Sequence, residues 1–226
     1  NAAGGLAAAA WTYDVTATTW QPIDPPVPQG TIGCHAGWLP HVQGGRAMVF
    51  GGQGLGVGMD ATTWLYDPKA RKFATLKTAQ APSPRRDGAT VSDLTGKRVI
   101  LFGGQTQPIP SAAHTDDTWQ FDGTAWSQIA KGEAAPSPRR YPGTAFDAKR
   151  RWMVVFSGTD EQVDFEDLWL FDANKDTWKQ LPLFDAPDVR SFGAMAWDAS
   201  DGAFVFFGGF TSPGMKGQSD GWRLTL

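Results

Sequence analysis

Trp119-Gln120-Phe121-Asp122 is the stretch that decides the fold, because close copies of it recur along the chain. The other complete copies of this Trp-x-Tyr/Phe-Asp pattern are Trp11-Thr12-Tyr13-Asp14, Trp64-Leu65-Tyr66-Asp67 and Trp169-Leu170-Phe171-Asp172. A degraded fifth copy, Trp222-Arg223-Leu224, lies near the end, and the leading Trp residues are 50 to 55 positions apart. A fixed period of this length indicates repetition of one supersecondary unit. In such folds, function usually lies in the loops that differ between copies.

Each unit contains four short strand-like segments. In the second full unit, the apolar run Arg98–Phe102 ends in Gly103-Gly104 and is typical of a strand buried on both faces. A long loop, the Trp119 segment and a closing strand around Trp126 follow. Similar apolar runs occur at residues 47–50, 153–156 and 204–207. Because no segment has helical periodicity, we predict an all-β fold whose four-stranded antiparallel units stack around an axis as propeller blades.

Composition and charge exclude several classes of protein. The 226 residues include 20 basic and 23 acidic side chains, with a formal net charge of −3 at pH 7. No long run of either sign is present, so we expect no nucleic-acid partner. No apolar stretch approaches the roughly 20 residues that span a bilayer, so we expect a soluble domain with no membrane span. The single cysteine excludes an intrachain disulfide. The sequence does not determine the compartment, and it is compatible with an extracellular or periplasmic location.

These features resemble the kelch repeat. Its marks here are a buried strand ending in Gly-Gly, a variable loop, the Trp-x-Tyr/Phe-Asp strand, a tight turn and a later Trp. A further mark is Pro-Arg before the innermost strand, at Pro84-Arg85 and Pro138-Arg139, with Val189-Arg190 as a weaker form. The resemblance covers Trp11 to Leu224 and implies a kelch-type propeller. It does not define a function, because the family includes protein-binding modules, a copper oxidase and a sugar mutarotase.

The strand count leaves the blade number open. With strands labelled a to d from the axis outward, the chain predicts c-d, three full units and a-b-c, or about four blades' worth. Either the strand around Trp20 completes the last blade of a four-bladed ring, or the chain is part of a larger propeller. After a flexible segment at residues 1–10, the propeller domain at 11–226 is divided into units near 11–23, 32–76, 85–129, 139–181 and 190–225.

Arginine recurs just before the innermost strand, at Arg85, Arg139 with its neighbour Arg140, and Arg190. In a propeller this position lies at one mouth of the central channel, and a guanidinium group suits carboxylates and phosphates. The resemblance implies such a role, since kelch modules that bind acidic peptides use Arg at this repeat position. The alternative is that the guanidinium groups bind loop carbonyls or acidic residues of the adjacent blade.

The first unit departs from this pattern, with Gly33-Cys34-His35 aligned where Pro-Arg is expected. Cys34, His35 and His114 are residue types that bind copper or zinc. Their spacing matches no metal motif, so we predict no metal site and no cofactor. His35 and His114 remain candidate ligand-binding residues near the channel mouth. Copper radical chemistry is disfavoured because Tyr13 and Tyr66 occupy repeat positions where Phe substitutes freely.

The variable loops are the expected place of recognition, since the strands repeat and the loops do not. Apolar loop residues are the candidate anchors for a partner: Leu55, Met59, Ile109, Phe165 and Met215. We therefore expect a kelch-type binding module or scaffold that presents its d–a and b–c loops to a protein partner or a small anionic ligand. No catalytic residue is assigned. The alternatives are a propeller enzyme acting on a sugar or anionic small molecule at the channel mouth, and a structural subunit of a larger assembly.

Overall fold

The structure, a computed structural model, describes residues 9–28, 31–54, 58–130, 135–211 and 216–226. These residues form strands and turns, and none of them forms a helix. In chain order the strands are β1 (Ala10–Asp14), β2 (Thr19–Ile23), β3 (Thr31–Ile32), β4 (His35–Leu39), β5 (Arg46–Phe50), β6 (Gln53–Gly54), β7 (Gly58–Met59), β8 (Thr63–Asp67), β9 (Lys72–Leu76), β10 (Ala89–Asp93), β11 (Arg98–Phe102), β12 (Thr118–Phe121), β13 (Trp126–Ala130), β14 (Gly143–Asp147), β15 (Trp152–Phe156), β16 (Leu168–Asp172), β17 (Thr177–Leu181), β18 (Ala194–Asp198), β19 (Ala203–Phe207), β20 (Phe210–Thr211), β21 (Lys216–Gly217) and β22 (Gly221–Leu224).

Three four-stranded antiparallel sheets confirm the predicted blades. Their strand orders are β4-β5-β8-β9, β10-β11-β12-β13 and β14-β15-β16-β17, and we number these blades one to three. A fourth sheet, which we call blade four, has the order β18-β19-β22. The short strands β3, β6 and β7 form a separate sheet beside blade one, and β20 pairs with β21 beside blade four. The repeat period in the sequence therefore corresponds to one sheet per unit.

The strand around Trp20 does not complete blade four. In the described residues, β2 pairs only with β1, and β22 pairs only with β19. The β1–β2 hairpin instead contacts blade one, where Arg71 Nη2 donates to the Pro22 carbonyl at 3.1 Å. The four-bladed ring closed by this strand is therefore not formed in this structure. Of the segment expected to be flexible, residues 1–8 lie outside the described residues, and Ala10 begins β1.

The second strands of blades two and three are almost completely buried, and that of blade one is partly buried. All five residues of β11 are buried, as the apolar residues Val99 to Phe102 predict, and the fifth, Arg98, is paired with Asp93 and Asp176. In blade three, Met153, Val154 and Val155 are fully inaccessible to solvent. A strand buried on both faces has no polar side to present, which explains why these runs do not alternate.

Tryptophan side chains of the outermost strands connect successive blades. Trp126 of blade two donates its indole N–H to Thr63 Oγ1 of blade one at 2.9 Å. Trp178 of blade three makes the equivalent bond to Thr118 Oγ1 of blade two, also at 2.9 Å, and its ring centroid lies 4.8 Å from that of Phe102. Each contact combines buried aromatic area with a satisfied N–H group. The closing strand of one blade therefore stabilises the blade before it.

A chain of backbone hydrogen bonds links the blades just before their innermost strands. The N–H of Asp87 donates to the Gly33 carbonyl at 2.9 Å, that of Tyr141 to Asp87 at 2.8 Å, and that of Phe192 to Tyr141 at 3.2 Å. All four residues have left-handed backbone conformations, with φ between 55° and 67°. Glycine is required at position 33, because an added Cβ would lie 2.0 Å from Asp87 Oδ1. We call this chain the inner rim.

Substitution of Trp178 by Ala tests the inter-blade contact. We expect the free energy of unfolding to fall by about 3–5 kcal/mol, because a buried aromatic side chain leaves a cavity between blades two and three. Trp20→Ala is the matched control, because Trp20 is on an outermost strand at the same repeat position but is 66 % exposed. Its effect should stay below about 1 kcal/mol. Equal losses in urea denaturation would show that the blade-to-blade contact is not what stabilises the fold.

Candidate functional site

The three arginines that recur before the innermost strands lie inside the blades. Arg85 and Arg139 are fully buried, and Arg190 is 2 % exposed. Arg85 binds both carboxylate oxygens of Asp117, with Nη1–Oδ1 at 2.5 Å and Nη2–Oδ2 at 3.0 Å. It also donates to the carbonyls of Ser83 and Gly103, each at 3.1 Å. Its charge and most of its donors are therefore satisfied within the fold.

The same arrangement is repeated in blades three and four. Arg139 binds both oxygens of Asp167, and Arg190 binds both oxygens of Asp220. In all three blades the aspartate also accepts the indole N–H of the Trp two residues later. The indole-to-carboxylate distances are 2.7 Å for Trp119, 2.9 Å for Trp169 and 2.6 Å for Trp222. We call this three-residue contact the Arg–Asp–Trp clamp.

The clamp corrects the expectation that these three arginines form an open ring at a channel mouth. Their contacts match the alternative prediction, in which the guanidinium groups bind carbonyls and carboxylates inside the protein. The difference is that each aspartate belongs to the blade of its own arginine and not to the adjacent blade. Burial alone would raise the pKa of Asp117, but the hydrogen bonds and charge of Arg85 hold it below its usual value. Arg190 and the Trp222 indole lower the pKa of Asp220 to about 2. These carboxylates therefore stay ionised at neutral pH.

Blade one has no clamp. Strand β4 begins at His35 as β10 begins at Ala89, and both residues pair with the last residue of the next strand. Thr31, not the predicted Gly33-Cys34-His35 stretch, therefore occupies the position of Arg85. Thr62 occupies the position of Asp117, because its carbonyl accepts from Gly51 as that of Asp117 accepts from Gly103. Blade one has lost the cation and the anion together.

His35 and Cys34 do not form a site together. His35 is 3 % exposed, and its Nδ1 lies 2.9 Å from Thr90 Oγ1 of blade two. Burial, followed by the charge of Arg85, lowers the pKa of His35 to about 3. Cys34 is exposed. Within the described residues, no three His, Cys, Asp or Glu side chains lie close enough together to hold a metal ion.

The second residue of each Arg-Arg pair faces a different environment from the first. Arg86 Nε donates to Gln105 Oε1 at 2.9 Å, and Arg140 Nη1 donates to the same oxygen at 2.7 Å. Two donors on one oxygen fix the orientation of the Gln105 amide, so its NH₂ group points away from both arginines. Gln105 also forms an isolated backbone bridge with His114. Gln105 thus brings Arg140 and His114 close together. Both are among the predicted ligand-binding residues.

Two inner-rim residues complete this group. Asp87 lies 3.3 Å from Arg86 and 3.9 Å from Arg140. Burial raises its pKa, against the opposing effects of Tyr141 and the two arginines. Burial and then the charge of Asp87 raise the pKa of Tyr141 to about 12, so its hydroxyl stays protonated. The Tyr141 ring stacks on Phe192 with centroids 3.6 Å apart.

We call this group the inner-rim cluster: Arg86, Asp87, Gln105, His114, Arg140 and Tyr141. Six buried side-chain polar atoms in the described residues make no hydrogen bond, and four of them belong to the cluster. They are Asp87 Oδ2, Gln105 Nε2, His114 Nε2 and Arg140 Nε. Asp87 Oδ2 still forms ion pairs with Arg86 and Arg140. Each of the other three is a buried polar atom without a hydrogen-bond partner, which costs about 1–3 kcal/mol. Their concentration in one place marks the cluster as the candidate binding site.

One acidic side chain already binds the cluster. Glu161, on the loop after β15, forms an ion pair with Arg140. Burial and then the charge of Arg140 lower the pKa of His114, while Glu161 and Asp160 act in the opposite direction. His114 is therefore neutral at pH 7. The cluster is thus able to hold a carboxylate beside Arg140.

The predicted apolar anchors have different environments. Ile109 is 61 % exposed, as an anchor requires. Phe165 is partly buried, and its ring centroid lies 4.1 Å from the guanidinium carbon of Arg139, so it covers a clamp. Met59 is partly buried and lines a cavity in blade one. Leu55 and Met215 lie outside the described residues.

Sequence reasoning missed most of the cluster. Asp87, Gln105 and Tyr141 carry no repeated motif that marks them as site residues. The available signal was the Arg-Arg doublet, Arg85-Arg86 and Arg139-Arg140. Successive residues of an extended segment point in opposite directions, so only one of each pair can be buried in its own blade. Arg140 and His114 were predicted without this step.

The sheets and the repeated clamp define the class of protein as a β-propeller of kelch-like repeats. A family model described as the KLHDC2/KLHL20/DRC7 Kelch-repeats domain matches residues 3–209, so the chain belongs to this Kelch-repeat family.

Several relatives are similar over much of the chain. N-(sulfonatooxy)prop-2-enimidothioate sulfolyase of Thlaspi arvense is 30 % identical over 143 residues, covering 62 % of this chain and 40 % of that protein. The dynein alpha chain of the flagellar outer arm of Chlamydomonas reinhardtii is 31 % identical over 143 residues, covering 60 % and 3 %. Putative adagio-like protein 2 of Oryza sativa subsp. japonica is 28 % identical over 180 residues, covering 76 % and 27 %. The chain therefore spans less than half the length of each of these relatives.

No helix long and apolar enough to cross a bilayer is present in the part of the chain that the structure describes.

Substitution of Asp117 by Ala tests the clamp. It leaves the guanidinium group of Arg85 buried without its carboxylate, so we expect a loss of about 3–5 kcal/mol in the free energy of unfolding. Adding Arg85→Met should recover part of this loss, because no unpaired charge then remains. Thr62→Ala, at the same position of blade one, is the control and should cost about 1 kcal/mol or less. Chemical denaturation measures all three, and a double variant no better than Asp117→Ala would contradict the charge explanation.

The buried His35 gives a pH dependence with a defined sign. Its pKa of about 3 in the folded state lies below the ordinary value of 6.5. Between these values only the unfolded chain binds the proton, so the free energy of unfolding should fall with decreasing pH by about 1.4 kcal/mol per pH unit. His35→Ala should remove this component below pH 6.5, whereas His41→Ala should keep it. Parallel wild-type and His35→Ala curves from denaturation at pH 4.5 to 7 would contradict the assignment.

Proposed function

We propose that this domain is a protein-binding module and that its inner-rim cluster receives an acidic side chain of the partner. The observation that carries the proposal is the buried, unbonded donor Arg140 Nε, which lies beside Nη2 of the same guanidinium group, the atom that already pairs with a carboxylate. A carboxylate supplies acceptors for these donors. The family membership supports a binding role at the coarser level of a scaffold for other proteins.

The electrostatics of the cluster favour an anionic group of limited size. Arg86 and Arg140 bring two positive charges, while Asp87 and Glu161 balance them in the free domain. Hydrogen bonds between charged groups in a buried place contribute about 1.5–3 kcal/mol each. An incoming carboxylate that replaces Glu161 on Arg140 Nη2 can also accept from the unbonded Nε of the same guanidinium group. The partner's carboxylate therefore makes a hydrogen bond that Glu161 does not make.

Exposed apolar loop residues supply the second half of the recognition surface. Ile109 lies in the loop that connects Gln105 with His114, so it is adjacent to the cluster in the chain. An apolar anchor beside a charged pair is the arrangement that gives interfaces both affinity and orientation. We propose that the same partner segment contacts Ile109 and the cluster.

A small anionic molecule is the second candidate ligand. The name of the Thlaspi arvense relative describes a lyase acting on a sulfonatooxy compound. A sulfonatooxy group, which is a sulfate ester, presents anionic oxygen acceptors as a carboxylate does. If the ligand is of this kind, the same cluster is an active site. The neutral imidazole of His114 is then the side chain that can accept a proton.

Two variants with opposite effects test the proposed carboxylate site. The probe is the blocked peptide acetyl-Gly-Glu-Ile-Gly-amide, titrated by calorimetry against the intact domain. Arg140→Gln should weaken binding at least about tenfold, which is 1.4 kcal/mol. Glu161→Gln should strengthen binding, because it removes the internal carboxylate that competes for Arg140.

Matched controls separate the site from general charge effects. Glu166→Gln removes an acidic residue of the same loop that has no ion pair with Arg140, and Arg71→Gln removes an arginine in an outer turn. Both should bind the probe as the unaltered domain does. Equal affinity for the Gln version of the peptide would refute a carboxylate site. Binding of methyl sulfate at the cluster without binding of the peptide would favour the second candidate.

A further inference from the structure

Blade one contains a cavity at the place where the other blades hold a buried guanidinium group. The cavity has a volume of about 260 Å³ and is lined by Thr31, Met59, Asp60, Thr62 and Trp64 with two glycines. Thr31 and Thr62 stand at the positions of the clamp arginine and aspartate. The cavity therefore arises where the repeat has lost its internal cation.

The backbone around the cavity keeps the form that binds a guanidinium group elsewhere. Gly51 has φ +69°, and its equivalent Gly103 has φ +67°. In blade two the Gly103 carbonyl accepts a hydrogen bond from Arg85 Nη1 at 3.1 Å. The polypeptide of blade one is thus built like its neighbours, and only the side chains of the clamp differ.

A carboxylate is still present, but it has moved by two residues. Asp60 replaces Thr115, and Thr62 replaces Asp117, so the sequence Thr-x-Asp of blade two becomes Asp-x-Thr. The shift agrees with the backbone bonds, because Asp60 N–H donates to Gly52 as Thr115 N–H donates to Gly104. Asp60 Oδ1 accepts from the N–H and hydroxyl of Thr62. Asp60 Oδ2 makes no hydrogen bond to any described residue.

Blade three shows that a side chain at the position of Asp60 reaches the guanidinium site. Phe165 holds this position, since its N–H donates to Gly158 as that of Asp60 donates to Gly52. The Phe165 ring centroid lies 4.1 Å from the guanidinium carbon of Arg139. A carboxylate at the same position would lie against a cation in the cavity.

Trp64 keeps its place on the wall of the cavity but has lost its acceptor. In the other three blades the equivalent indole N–H donates to the clamp aspartate. Thr62 stands at that position in blade one, and the Trp64 indole makes no hydrogen bond to any described residue. The cavity therefore combines a carboxylate oxygen, two hydroxyls and an aromatic side chain, which are the groups that hold guanidinium ions in proteins.

We propose that this cavity binds the guanidinium group of an arginine side chain presented by a partner protein. The incoming arginine replaces, from outside, the cation that every other blade supplies from its own chain. A guanidinium group fits better than an ammonium group, because its planar donors can reach Asp60 and the threonine hydroxyls together while its face lies on an aromatic ring. The site shares no residue with the inner-rim cluster, so it goes beyond the function proposed above.

The experiment uses the intact ¹⁵N-labelled domain and the probe N-acetyl-arginine amide. The Trp64 indole resonance, assigned with Trp64→Phe, should move and saturate with a dissociation constant of about 1 mM, an affinity suited to one isolated side chain. N-acetyl-citrulline amide, the neutral analogue, and N-acetyl-lysine amide should bind at least about tenfold more weakly. No movement of the resonance, or equal binding of the lysine probe, would overturn the proposal.

Three variants locate the binding in this cavity. Asp60→Asn should weaken the probe at least about tenfold, whereas Asp116→Asn, which removes a loop carboxylate of blade two, should leave it unchanged. The double variant Thr31→Arg/Thr62→Asp rebuilds the clamp and should abolish binding, with no fall in the melting temperature. Retained binding by a folded double variant would show that the probe binds elsewhere and would refute the site. If Asp60→Asn binds the probe as tightly as the unaltered domain, the proposed carboxylate contact is wrong.

Discussion

The buried ion pair between an arginine and an aspartate of the same blade is the contact on which the rest of the structure depends. In blade two it joins Arg85, before the innermost strand, to Asp117, at the end of the long loop. A guanidinium group removed from water needs a carboxylate in good geometry, so neither partner can leave without the other. The pair therefore fixes both ends of the variable region in blades two, three and four. The sequence of the loop between these two residues can vary, because the arginine and the aspartate hold its ends in place.

The same arginine residues also connect neighbouring blades through their backbones. The carbonyl of Arg85 accepts from Gly52 of blade one at 2.8 Å, that of Arg139 from Gly104 of blade two at 2.8 Å, and that of Arg190 from Gly158 of blade three at 3.2 Å. Side chain and main chain of one residue thus act on two different blades. The paired glycines follow from this geometry. At Gly51 an added Cβ would lie 2.5 Å from the Arg85 carbonyl oxygen, and φ is positive.

Function in this domain is concentrated where the repeats differ. Because Arg85 is turned into its blade, the next residue, Arg86, is turned toward the inner rim, and Arg139 and Arg140 repeat this alternation. Two blades with such a doublet stand next to each other and share Gln105. Blade four has Ser191 at the position of Arg140, and blade one has Ile32. The positive groups are therefore restricted to one side of the rim, and the cavity of blade one lies where a clamp is missing.

The sequence by itself determined the repeat, the four strands of each unit and the propeller class. These are local properties: apolar runs, turn residues and a Trp at a fixed place specify strands without reference to distant residues. The sequence also marked the arginine positions and His114, but not which arginine of each doublet is buried. Only the tertiary structure decided that Arg85, Arg139 and Arg190 bind Asp117, Asp167 and Asp220, which follow them by 28 to 32 residues. It also decided that Thr31, rather than His35, replaces an arginine in blade one. The pairing of the strands decides which residues come into contact. A shift of register by one residue leaves the composition unchanged but moves each side chain to the opposite face of the sheet.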